Sequence, residues 1–177
     1  MDQKNERALT MLATALKMEE KGESFYDQAL LKCANPIGRE IFSKLKSDER
    51  IHVERIKNIY QSLQAGKAWS SEWESFGFGH DNLAEIFKQL AAKHNQAIHA
   101  ETGDLEALDI GLDFEQQSVK FYLEHLYLAE DPLEKAFISR MVAEERAHYR
   151  ALADYKFYLT DPAGWFLENE KASYDGA

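Results

Sequence analysis

Apolar residues recur along this chain at steps of three and four. Leu9, Leu12, Leu16, Met18, Phe25, Tyr26 and Leu30 form one such stripe. Ile37, Ile41, Leu45, Ile51, Ile56, Ile59 and Leu63 form a second, less regular one. The period is helical, and the alternation of a half-buried strand is absent. The three prolines follow Asn35, Asp131 and Asp161. Each pair reads as a helix start, with a capping side chain and then proline at the first helical position. The pattern predicts an all-α chain with four long helices over 6–34, 36–64, 104–129 and 132–160. Each is about 40 Å long at 1.5 Å per residue. Between them, "AGKAWSSEWESFGFGH" reads as a loop. Asp81 is placed to cap a shorter helix over 82–99, with Leu83, Ile86, Phe87, Leu90 and Ile98 on one side. Gly103 fits a break before the next helix, and 161–177 reads as a short helix and tail.

The chain also matches itself at an offset of 96. Leu9 falls on Leu105, Leu12 on Leu108, Leu16 on Leu112 and Glu19 on Glu115. Phe25-Tyr26 falls on Phe121-Tyr122, Pro36 on Pro132, Glu49-Arg50 on Glu145-Arg146 and His52 on His148. In all, 13 of the 57 ungapped positions 7–63 are identical to their mates. The expected organisation is a four-helix bundle over 1–160. Two helical hairpins, 7–64 and 103–160, are joined by a crossover over 65–102, and 161–177 follows as an appendage.

Composition narrows the function. With 177 residues, 45% apolar and 29% charged, one soluble globular domain is expected. A net charge of −10 argues against nucleic acid and anionic membranes as partners. The single cysteine, Cys33, excludes an internal disulfide and a cysteine-only metal centre, and a reducing, cytoplasmic location is the expectation. MDQKNERALT lacks the apolar segment of a secretory signal. No apolar run is long enough to span a bilayer.

Within the repeat lies chemistry. "SDERIH" and "AEERAH" each carry Glu-x-x-His, as Glu49/His52 and Glu145/His148. Residues three apart on a helix face one partner surface. Glu19 lies 16 residues before Asn35 and Glu49 lies 14 after it, so an antiparallel hairpin puts both about 21–24 Å from the turn. Glu115 and Glu145 repeat this around Asp131. Six ligands can therefore converge at mid-bundle: Glu19, Glu49, His52, Glu115, Glu145 and His148. Four carboxylates and two imidazoles suit two divalent transition metals, whose charge of +4 offsets −4. A mostly oxygen shell with a little imidazole points to iron or manganese and not to structural zinc, which prefers four tight ligands; two iron ions are the expectation, with manganese or zinc as possible substitutes. One Glu-x-x-His alone means little, since 20 Glu and 6 His in 177 residues give about 0.7 by chance. Two in register, each 30 residues after its own Glu, mean much more.

Other residues carry weaker signals. Tyr26 and Tyr122, seven residues after Glu19 and Glu115, are candidates to hydrogen-bond a ligand carboxylate or relay an electron. Asp48, Arg50, Glu144 and Arg146 flank the ligands and read as solvated charges ahead of a role in orienting the histidines. Glu20, Glu23 and Glu144 sit off the ligand face. His94, His99 and His125 have no partner at ligand spacing and read as surface or core residues. Cys33 reads as a small buried side chain. Trp69, Trp73, Phe76 and Phe78 either shield one end of the bundle or form a dimer contact. A metal-free helical interaction module is the bland alternative to the whole metal reading.

At "ALKMEEKGESFY" with "SDERIH", and "DIGLDFEQQSVKFY" with "AEERAH", the chain resembles the rubrerythrin branch of the ferritin-like di-iron carboxylate proteins. The likeness covers about 7–160, and the closing "DPAGWF" and "DGA" are also similar to the tails of single-domain members. The resemblance implies a ferritin-like bundle holding two irons. Glu49 and Glu145 would bridge them, Glu19 and Glu115 would be terminal carboxylates, and His52 and His148 would bind one iron each. It implies redox cycling between diferrous and diferric states, with reduction of hydrogen peroxide or dioxygen, or oxidation of ferrous iron as the alternative. It also implies a homodimer. Two features depart from the family pattern. The extra Glu found one turn after the third-helix ligand in peroxidase members is Ser118 here, and its mate is Gly22. One cysteine cannot form the family's rubredoxin module, so electrons would come from an external donor such as a separate rubredoxin-type protein.

Overall fold

Asn35 and Asp131 set where two of the long helices begin. The Asn35 side chain accepts from the backbone N–H of Ile37 (2.9 Å) and Gly38 (3.4 Å), and Pro36 occupies the first helical position. Asp131 does the same for Leu133 (2.7 Å) and Glu134 (3.3 Å), ahead of Pro132. Asp161 accepts from Gly164 N–H at 2.9 Å. These bonds satisfy backbone donors that a helix leaves without partners.

The structure, a computed structural model, describes residues 3–77 and 102–174, together with Leu83 and Gln89. Helix α1 spans Gln3–Lys32 and α2 spans Pro36–Gln64. A 3-10 helix, Glu72–Phe76, opens the crossover. Helices α3 (Thr102–Leu128), α4 (Pro132–Thr160) and α5 (Pro162–Tyr174) follow. The second and fourth predicted helices have the expected bounds, and the first and third begin two or three residues early. The helix expected over 82–99 falls almost wholly outside the described residues, as do Asp81, Phe78, His94 and His99. Among the described residues there is no strand, and no helix is long and apolar enough to cross a membrane.

Helix α1 packs along α2, and α3 along α4. The two hairpins meet through α1 against α3 and α2 against α4. The buried line of α1 is Ala8, Met11, Leu12, Ala15, Glu19, Gly22, Tyr26, Ala29 and Cys33. This differs from the stripe expected from the large apolar residues. Leu9, Leu16, Met18, Phe25 and Leu30 lie half-buried beside it. Small residues and one carboxylate hold the centre, because the hairpins approach closely there and a polar cluster fills the middle.

That cluster divides the apolar core in two. One part joins the end of α1, the start of α2 and the end of α4 through Tyr26, Ile37, Phe42, Leu45, Leu152 and Tyr155. The other joins the opposite ends through Met11, Leu12, Ile56, Tyr122, Phe137 and Met141. Trp73 and Trp69 of the crossover pack on Phe137, with ring centroids 5.6 and 6.0 Å apart, and close the second part. Trp165 of α5 meets Tyr158 at 5.5 Å and closes the first. The described crossover tryptophans thus do shield that end of the bundle. Cys33 is buried as expected, and burial, reinforced by Asp104, pushes its thiol up to about 11.

Gly38 marks the tightest approach between hairpins. A Cβ there would stand 2.5 Å from the Tyr155 hydroxyl and 2.6 Å from Cys33 Sγ. Gly38→Ala is expected to cost about 1–3 kcal/mol by urea unfolding, because the buried Tyr155 and Cys33 side chains must shift to admit the methyl group. Gly103→Ala, where a Cβ meets nothing within 4 Å, is expected to cost nothing measurable.

Candidate metal centre

Each long helix contributes to one buried layer. Glu19 comes from α1, Glu49 and His52 from α2, Glu115 from α3, and Glu145 and His148 from α4. All six are at most 1% exposed. The structure brings together every residue that the sequence placed at mid-bundle.

The geometry divides into two halves. His52 Nδ1 lies 3.0 Å from Glu19 Oε2, 3.1 Å from Glu145 Oε1 and 3.7 Å from Glu49 Oε2. His148 Nδ1 lies 3.4 Å from Glu49 Oε1 and 3.6 Å from both Glu115 Oε2 and Glu145 Oε2. Glu49 and Glu145 therefore each turn one oxygen to either half, whereas Glu19 serves only the first and Glu115 only the second. In each half, four ligand atoms lie within 4.8 Å of one another. Ligands about 2.1 Å from one ion and 90–110° apart lie about 3.0–3.4 Å from each other, so the observed spacings leave room for a cation. The imidazole rings stack, with centroids 5.5 Å apart.

The contacts that orient these ligands cross between hairpins. The Tyr26 hydroxyl donates to Glu115 Oε1, and the Tyr122 hydroxyl donates to Glu19 Oε1 at 2.5 Å. His52 Nε2 faces Glu144 Oε2 at 2.7 Å, and His148 Nε2 faces Asp48 Oδ2 at 3.4 Å. Tyr26 and Tyr122 thus do hydrogen-bond ligand carboxylates. For Asp48 and Glu144 the expectation of solvated charge is corrected. Both are at most 3% exposed, on the far side of a histidine. Helical rotation explains it: one residue before each Glu still lies on the inner side, whereas Arg50 and Arg146, one residue after, are exposed. Glu20 is exposed and pairs with Lys57 at 3.2 Å. His125 is half-buried against Phe121, away from the ligands.

The role of Arg55 and the close packing at Gly22 escaped the sequence reading. Arg55 is wholly buried and donates from Nη1 to Glu144 Oε2 at 2.7 Å. Its signal was a charged residue three after His52, on the same inward face. At Gly22, a Cβ would stand 2.8 Å from Phe114 Cε1 and 3.1 Å from the Glu49 carboxylate. Its mate Ser118 is buried. Neither offers the carboxylate that stands one turn after the third-helix ligand in peroxidase members.

The donor set fits a pair of cations, and the polar atoms show why. Both oxygens of Glu49, both of Glu145, Glu115 Oε2 and His148 Nδ1 are buried without a hydrogen-bond partner. Buried polar atoms are normally paired, and a carboxylate left without a partner costs several kcal/mol. In the cation-free protein, protons carry part of the compensation. Burial, with repulsion from Glu145 and Glu49, holds Glu19 well above the usual carboxyl range. Burial also raises Glu115, against the pull of His148. Burial opposes ionisation of Glu49 and Glu145, but the two imidazoliums hold both low. His52 and His148 are raised despite burial, because carboxylates surround them. Protons on the raised groups thus offset part of the negative charge of the layer. Two divalent ions would offset all of it, since four carboxylates, two neutral imidazoles and two divalent ions sum to zero.

This balance fixes the sign of the pH dependence. Groups raised by folding stabilise below their unfolded values and lose that contribution as pH rises through their folded values. As pH rises, Glu19 and Glu115 therefore begin to destabilise the cation-free protein above about 4.5, and His52 and His148 above about 6.5. Glu49 and Glu145, held low, lose their contribution only in acid, below about 4.5. The thermal midpoint of the cation-free protein is expected to fall between pH 6.5 and 9, and that of the metal-loaded protein to stay level. Loading two divalent ions is expected to release protons, measurable in weakly buffered solution. A flat midpoint without metal and no proton release would contradict the assigned charges.

With this geometry in hand, kinship can be stated. The rubrerythrin family model matches residues 10–156, which takes in all six converging side chains. No curated protein and no solved structure gives a significant match. The all-helical bundle and the buried carboxylate and histidine layer fit a di-iron protein. This chain belongs to the rubrerythrin family.

Proposed function

We propose that this chain holds two irons on Glu19, Glu49, His52, Glu115, Glu145 and His148, and reduces hydrogen peroxide or dioxygen with electrons from an external donor. One observation carries the reading: Glu49 and Glu145 each present one oxygen to both halves of the layer. That is the arrangement of bridging carboxylates, with Glu19 and Glu115 terminal and one histidine on each ion. Two irons, when bound, supply one electron apiece to an oxidant.

The remaining work belongs to the chain. Glu49 and Glu145 set the separation of the two ions. Tyr26 and Tyr122 each hold one oxygen of a terminal carboxylate and leave the other aimed at the centre. Glu144 and Asp48 keep the proton of each histidine on Nε2 and so direct Nδ1 inward. The flanking apolar clusters exclude bulk water. The donor fits a separate rubredoxin-type protein, and a cytoplasmic homodimer is the accompanying proposal. Ser118 and Gly22 favour a second reading. Without a carboxylate at either place, a ligand exchange on oxidation has no partner there, which leaves ferrous iron oxidation as the alternative activity. The metal-free interaction module fits less well, because it leaves both oxygens of Glu49 and of Glu145 buried without a hydrogen-bond partner.

An anaerobic Fe(II) titration is the deciding experiment. Saturation is expected at about two irons per chain, with a raised thermal midpoint. Mixing that sample with peroxide should oxidise it rapidly, and a reducing donor should restore it through repeated turnovers. Consumption of many Fe(II) per chain instead would establish the ferroxidase. An unchanged midpoint with no bound iron would end the metal reading. Ser118→Glu is expected to raise peroxide turnover by about tenfold, equivalent to about 1.4 kcal/mol of barrier.

A further inference from the structure

All six converging side chains are sealed from solvent, so a small oxidant must cross the wall of the bundle to reach them. Close packing within each hairpin shuts the α1/α2 and α3/α4 sides. On the α2/α4 side, Glu144 and Arg55 are buried behind His52, and Arg55 Nη2 donates to the crossover at Gly77. The side between α1 and α3 is built differently, because a groove runs along it. Phe25, Ala29 and Ala107 help to line a cavity of about 400 Å³ at one end. Met11, Phe121 and His125 help to line one of about 450 Å³ at the other. The 96-residue offset pairs Phe25 with Phe121, Ala29 with His125 and Met11 with Ala107. The groove is thus a product of the repeat, and its two cavities are mates.

Between the cavities the groove crosses the level of the ligands. Gly22 of α1 and Phe114 of α3 stand there, each one turn or less from a converging glutamate. Phe114 is half-buried, whereas its chain neighbour Glu115 is fully buried. A Cβ on Gly22 would lie 2.8 Å from Phe114 Cε1 and 3.1 Å from Glu49 Oε2. The edge of a ring that solvent reaches and a carboxylate of the centre therefore close on the same face of Gly22, with no side chain between them. Turning the ring toward solvent needs no shift of either helix. It opens a passage bounded by a glycine, the narrowest residue available.

We propose that Phe114 is the shutter over this passage and sets specificity by size. Hydrogen peroxide and dioxygen pass, and bulkier organic hydroperoxides do not. The proposal rests on the metal reading above. Phe114 touches no reacting atom and selects only what arrives.

Azide and benzoate, equal in charge and unequal in size, test this. Each is mixed with the anaerobic Co(II)-loaded protein and followed by the visible spectrum of the cobalt. Azide should enter the wild type, and benzoate should be excluded. Phe114→Ala should speed benzoate entry by at least about tenfold and change azide entry much less. Phe114→Leu should fall between, and it decides the matter should Phe114→Ala fail to fold. Tyr149→Ala, next to His148 but on the exposed face of α4, should change neither. With iron in place of cobalt, Phe114→Ala should likewise raise the rate of oxidation by cumene hydroperoxide relative to hydrogen peroxide. Equal entry of both anions into the wild type would overturn the proposal and leave the metal reading intact. So would benzoate exclusion that the Phe114 variants leave unaltered, or benzoate entry gained equally by Tyr149→Ala. No cobalt spectrum at all would overturn both.

Discussion

The structure depends on the burial of four carboxylates and two imidazoles in one layer halfway along the bundle. Isolated ions in such a place cost several kcal/mol each. The protein tolerates them because they face one another and because apolar clusters on both sides supply cohesion. Without metal, protons held on the raised groups offset part of the negative charge. With two divalent ions, the charge would be cancelled with every carboxylate ionised. The bundle is thus arranged around a charge that must be matched, and metal and protons are alternative ways to match it.

Orientation within the layer is shared between hairpins. Tyr26 of the first hairpin reaches Glu115 of the second, and Tyr122 of the second reaches Glu19 of the first. Glu144 stands behind His52, and Asp48 stands behind His148. Neither hairpin completes its own half of the site. A hairpin by itself would expose its carboxylates and lose the partners that aim them. Assembly of the bundle and of the centre is therefore a single event.

The support behind His52 runs on through Glu144. Glu144 carries two arginines beyond its histidine, and one of them reaches into the crossover. Burial opposes ionisation of Glu144, but His52 and Arg55 hold it down to about 2.

Much of this was legible in the sequence because helices translate spacing into position. Asn35-Pro36 and Asp131-Pro132 fixed two helix starts. Sixteen residues one way and fourteen the other then put Glu19 level with Glu49, and a Glu-x-x-His cannot avoid sharing a face. The six converging residues followed from counting. The sequence did not reveal which neighbours of those residues turn inward, because one step along a helix is 100° and either side of a ligand can be the buried one. Asp48 and Glu144 looked like surface charge, and only packing of α2 against α4 showed them behind the histidines. The buried line of α1 was misread for a similar reason. Hydrophobicity marked the large side chains, but close approach of the hairpins selected alanine, glycine and one glutamate. Arg55 lay beyond reach altogether, since its partners, Glu144 and Gly77, are 89 and 22 residues away. Local spacing by itself determined the fold class and which six side chains converge. Tertiary structure alone decided how the ligands are held, because holding depends on contacts between segments that the sequence keeps far apart.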